Sequence, residues 1–97
     1  MSAKRQNIDM EGDLVKPLLE EYGGIPTVLE RKGRQAKFKA RGPFPLGLMI
    51  GFFMNRFVKE GISFDEIIVD PEELTLTVKI QQNPEYNRMR FSFVSKH

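Results

Sequence analysis

Three stretches of this chain alternate apolar and polar residues with a period of two, which commits it to a sheet with one dry side and one wet side. In residues 35–41, Ala36, Phe38 and Ala40 alternate with Gln35, Lys37, Lys39 and Arg41. In 74–81, Leu74, Leu76, Val78 and Ile80 alternate with Thr75, Thr77, Lys79 and Gln81. In 86–94, Met89, Phe91 and Phe93 alternate with Arg88, Arg90 and Ser92. Successive side chains on a strand point to opposite faces, so each stretch turns one row toward a core and the other toward water. A half-solvated sheet of this kind is mostly antiparallel, because parallel sheets are covered on both faces.

Two further strands and two helices complete the pattern. Residues 26–31 and 35–41 read as a hairpin closed around Lys32-Gly33-Arg34, and 64–69 as a strand ahead of the turn Asp70-Pro71-Glu72. With a second turn at Asn83-Pro84-Glu85, the last three strands read as a meander. From Asp9 or Met10 to Tyr22, the residues Leu14, Val15, Leu18, Leu19 and Tyr22 form one helical stripe. Pro17 predicts either a kink there or a start near Lys16. A second helix is expected from Pro45 or Leu46 to Glu60, with Gly61 as its stop. Its first half is apolar all round, which predicts burial on more than one side, with Gly47 and Gly51 as packing positions and Phe52, Phe53, Met54 and Phe57 filling the core. At 97 residues the chain holds one domain, read as residues 9–97 behind a short polar tail, 1–8. The fold class is α+β, two layers in the order α-β-β-α-β-β-β, with two helices packed on one face of a mostly antiparallel five-stranded sheet.

Composition removes much chemistry. The chain has no cysteine, and its one histidine is His97, so disulfides, thiol catalysis and histidine acid–base catalysis lack their side chains. Asp65, Glu66, Asp70, Glu72 and Glu73 are the candidates for a hard-cation or acid–base site, but they lack a Ca²⁺-loop pattern and read as a solvated turn. Gly23-Gly24 lacks the Lys-Ser or Lys-Thr of a phosphate loop. The expectation is a protein without enzymatic activity, cofactor or metal. No run of about 18 to 20 apolar residues or secretory h-region is present, so no membrane partner and a cytoplasmic, intracellular location are expected.

Charge carries the functional reading. Fifteen Lys and Arg against thirteen Asp and Glu give a net charge of only +2, but the distribution is uneven. Residues 31–41 hold Arg31, Lys32, Arg34, Lys37, Lys39 and Arg41 with no acid, whereas the charged residues of 65–73 are all acids. If the apolar rows face the helices, Lys37, Lys39, Arg41, Lys79, Arg88 and Arg90 share the open face as phosphate contacts. Arg31, Lys32 and Arg34 then form a basic hairpin tip. Side chains two apart on a strand stand about 6.5–7 Å from each other, near the phosphate repeat of a nucleic-acid strand. Phe38, Phe91 and Phe93 fall on the core side, leaving mainly Tyr86 and Phe44 to stack on bases, so duplex DNA or structured RNA is expected over single-strand readout. The alternative is a protein-interaction module or assembly subunit, a homodimer or a partner of an acidic protein, using its basic and acidic faces. The order of elements, without any shared motif, resembles the double-wing domain of a phage transcription activator, which implies a saddle-shaped sheet with helices on one side.

Overall fold

The structure, a computed structural model, describes residues 8–23, 26–62, 64–80 and 89–94. A π-wound turn, Met10–Val15, runs directly into α1 (Lys16–Glu21), followed by β1 (Pro26–Lys32), β2 (Gln35–Ala40), α2 (Pro43–Glu60), β3 (Phe64–Asp70), β4 (Thr75–Ile80) and β5 (Arg90–Phe93). The strands form one five-stranded sheet in the order β1-β2-β4-β3-β5. Both helices pack on the same face, so the α+β architecture expected from the alternation holds.

The expected meander does not. β4 lies in the middle, antiparallel to both β2 and β3, while β5 pairs in parallel with β3 at the far edge. The reason lies in β4, whose apolar row of Leu76, Val78 and Ile80 is buried throughout. A strand this dry is best covered when it has neighbours on both sides, which leaves β5 an edge. Phe91 and Phe93 do face the helix side, with ring centroids 5.2 Å apart, but only Phe91 packs against the core, and Phe93 stays 62% exposed. The turn expected at Asn83-Pro84-Glu85 lies outside the described residues.

The first helix absorbs Pro17 by changing its winding: the wide π turn ends at Val15, and Pro17 falls in the first turn of α1, where its missing N–H is not required. Asp9 caps the start by accepting from Gly12 N at 3.0 Å, and Asp13 Oδ2 accepts from Asp9 N at 2.8 Å. Although 1–8 reads as a tail, Ile8 packs against the core. α2 begins at Pro43, earlier than expected, because Pro43 and Pro45 both fit its first turn. It ends on Gly61 at φ 70°, with Ile62 N donating to Arg56 O at 3.3 Å.

α2 is buried on one side only, contrary to its all-round apolar composition. Leu46, Met49, Phe52 and Phe53 point into the core, and Phe53 meets the rings of Phe52, Phe38 and Phe64 at 5.2, 5.6 and 5.9 Å. On the opposite side Phe44 is 76% and Val58 69% exposed, and a Cβ built on Gly47 or Gly51 would meet nothing within 4 Å. The two glycines therefore face outward and do not serve close packing. Among the described residues no helix is long and apolar enough to cross a membrane.

Two turns hold the hairpins. Gly33 opens the two-residue β1–β2 loop at φ 60°, the left-handed region that this hairpin geometry requires at its first position. Nothing lies within 4 Å of a Cβ built there, so Gly33→Ala tests the backbone alone. We expect a loss of about 1–2 kcal/mol in chemical denaturation. In the β3–β4 turn, Asp70 Oδ1 accepts from the backbone N–H groups of Glu72 and Glu73, each at 3.1 Å. Leu74 closes this turn at φ 57°, an unfavourable conformation for leucine. It is held there by side-chain packing on the core and by Ala40 N, which donates to its carbonyl at 2.8 Å.

Candidate nucleic-acid interface

The sheet register lays out the open face as rows that cross the strands. One row reads Lys32, Gln35, Lys79, Glu66, Arg90; the next reads Glu30, Lys37, Thr77, Ile68, Ser92; the third reads Thr27, Lys39, Thr75, Asp70. Lys37, Lys39, Lys79 and Arg90 thus emerge on the face away from the helices, as their parity predicts. Arg41 follows directly on the end of β2 and is exposed. Arg88 lies outside the described residues.

A bulge rearranges the hairpin tip. β1 gains one residue against β2 between Val28 and Glu30, leaving Leu29 unpaired. One extra residue reverses the facing of everything after it. Lys32 consequently joins the open face, while Arg31, opposite buried Ala36, turns to the helix side. There its guanidinium donates to both oxygens of Glu11, at 2.8 and 3.0 Å. Arg31 fastens the hairpin to the first helix and leaves the basic tip predicted for it. Arg34 is exposed in the loop, and its carbonyl accepts from Ile80 N at 2.8 Å.

The alternation in residues 35–41 and 74–81 says nothing of the carboxylates that share this face. Glu66 Oε1 stands 3.4 Å from Lys79 Nζ and next to Arg90 across the β3–β5 pair, so Lys79 is largely offset. Asp70 lies further along the same side of β3. Glu30 lies opposite Lys37 and accepts from Gln35 Nε2 at 3.3 Å. No aromatic residue appears in the described rows. Among the described residues Lys32, Lys37 and Lys39 form no ion pair. They make the β1–β2 half of the face net basic, with Glu30 as the acid within it, while toward β3 Glu66 and Asp70 offset the charges of Lys79 and Arg90.

No protein-family model, characterised protein or solved structure matches the chain. The resemblance to the double-wing domain therefore remains one of element order, and the site stands on its own geometry. Among the described residues no three carboxylates or other ligands converge as a metal site requires, and Asp70 is engaged in the turn. A separate open cleft of about 320 Å³ lies between the end of α1 and the outer side of α2, lined by Tyr22, Gly47, Gly51, Phe52 and Arg56 among others. The Arg56 guanidinium sits 4.8 Å over the Phe52 ring. Partial burial, and then the Glu21 carboxylate, push the Tyr22 hydroxyl above its usual pKa.

Proposed function

We propose that this protein binds nucleic acid through its phosphates, using the β1–β2 hairpin and without chemistry of its own. The observation that carries this reading is the grouping of Lys32, Lys37 and Lys39 on the helix-free side of two adjacent strands, with Arg41 next in line. None of these four belongs to the core. The backbone positions of Lys32, Lys37 and Lys39 are set by strand pairing and are therefore fixed before any ligand arrives, which limits the ordering cost of binding. Arg34 extends the surface around the loop. Lys79 and Arg90 contribute less, because Glu66 lies beside both.

A fluorescence titration with labelled DNA or RNA at low salt, repeated as salt is raised, tests the reading. Four phosphate contacts give a slope of log K against log salt of about −3 on single strands and about −3.6 on B-form duplex. A slope near zero, or no binding at low salt, would rule the function out.

The presence of Glu66 and Asp70 beside cations favours a second reading, in which a second copy or another protein docks on the sheet with basic and acidic halves matched. Sedimentation of the protein without nucleic acid separates the two: the first reading expects a salt-independent monomer, the second a salt-sensitive oligomer.

A further inference from the structure

We propose that two copies of this chain pair through the outer side of α2, with the helices antiparallel and crossing at Gly51. On that side Phe44 is 76% and Val58 69% exposed, and Gly47, Gly51 and Asn55 are exposed between them. Phe44, Gly51 and Val58 stand two helical turns apart in succession, so they lie close to one line along the helix. That line runs opposite buried Met49 and Phe53.

The line is complementary to itself. Gly51 is its midpoint, and turning a second copy end over end about that point sets Phe44 against Val58, Leu48 against Met54 and Gly47 against Asn55. Each end then holds one phenylalanine and one valine, so both ends have the same width, and the two helix dipoles oppose each other. Parallel pairing would instead stack Phe44 on Phe44 at one end and align the dipoles. The profile fits as well. Crossing helices are closest where they cross, and here the backbone is bare at the centre while the large side chains stand about 10 Å to either side, where the gap widens. Glycine is among the poorest helix formers, and a Cβ at Gly47 or Gly51 would meet nothing within 4 Å, so packing within one copy gives no use for glycine at either place. Close approach of a second backbone does.

The segment from Phe44 to Val58 is about 22 Å long, and pairing over that length buries on the order of 1,000 Å² in the two copies together, the lower bound for a specific interface. The pairing is therefore weak, with a dissociation constant on the order of 100 µM, and the chain is a monomer at about 5 µM. Its contacts are apolar, which separates it from salt-sensitive docking on the open sheet face. Both β1–β2 patches stay uncovered and face away from each other, so under the phosphate-binding reading the dimer is bivalent.

Sedimentation equilibrium from about 5 to about 500 µM, at low and at high salt, tests the proposal. Wild type is expected to rise from the monomer mass toward the dimer mass over that range, as strongly or more strongly at high salt. G51E should weaken pairing at least about tenfold, because each introduced carboxylate would be buried against its copy. Its melting temperature at low concentration should stay the same or rise, glutamate being a better helix former than glycine. V58K, at a position 69% exposed, is the second variant and should weaken pairing likewise. A wild type that stays monomeric at the highest concentration, an association that high salt dissolves, or variants that pair as tightly as wild type would overturn the proposal. None of these outcomes bears on nucleic-acid binding, which the titration above decides separately.

Discussion

Reversing two charges at the centre of the basic patch, as K37E/K39E, is expected to weaken binding of a labelled oligonucleotide about 100-fold at low salt. Each substitution changes the local charge by two, and a unit pair at 4 Å in water is worth about 1 kcal/mol. The two substitutions together therefore remove about 4 kcal/mol before screening, of which about 3 kcal/mol survives near a surface at low salt. Fold stability should change far less. Lys39 is exposed and Lys37 half-buried on the solvent side, and the main cost is a carboxylate at 37 facing Glu30 across the β1–β2 pair. Like charges in that position cost about 0.2–1 kcal/mol, or a few degrees of melting temperature. The control is K59E, a reversal at an exposed position on α2, which should leave affinity within about twofold. Anisotropy titrations with thermal melts of the three proteins check the result. A large loss of stability in K37E/K39E would mean that these side chains are needed by the core.

The largest effect on stability is expected at Phe53. Its side chain is fully buried and meets three other aromatic rings, so Phe53→Ala leaves a cavity at the junction of α2 with β2 and β3. Truncations of this kind cost about 3–5 kcal/mol. Domains of this size hold about 5–15 kcal/mol in all, so the variant should melt at least about 15 °C lower and sit near the edge of folding. Phe93→Ala removes the same atoms from a ring that is 62% exposed, on the edge strand β5, and should cost less than about 1 kcal/mol. Comparable losses at both positions would contradict the one-sided core described above.

The fold was legible wherever the sequence alternates without interruption. β2 follows its period-two pattern to the residue and β4 does so from Leu76 to Ile80, and with them the open-face placement of Lys37, Lys39 and Lys79; Thr75, expected to be wet, is buried, and Leu74 closes the turn ahead of the strand. It was not legible where a single residue breaks the count. The bulge at Leu29 has no glycine or proline to announce it, yet it sends Arg31 to Glu11 and brings Glu30 and Lys32 outward. A second irregularity between Phe64 and Glu66 leaves exposed Asp65 out of register. The facing of Glu66, Ile68 and Asp70 against buried Ile67 and Val69 was readable from their order alone. What was not readable is that β3, and not β5, lies beside β4, and strand order decides which acids border the cations. Gly47 and Gly51 mislead for a related reason: small residues on an apolar helix fit close packing and open surface equally well, and only tertiary placement separates them.

The central claim is that anions bind the β1–β2 side of the open face, and amide chemical shifts recorded while polyphosphate is added to ¹⁵N-labelled protein address it most directly. Salt-sensitive shifts are expected in β1, β2 and the adjoining part of β4, with α2 and β5 nearly still. Shifts centred on the outer side of α2 or around Arg90, or spectra that do not change at low salt, would contradict it.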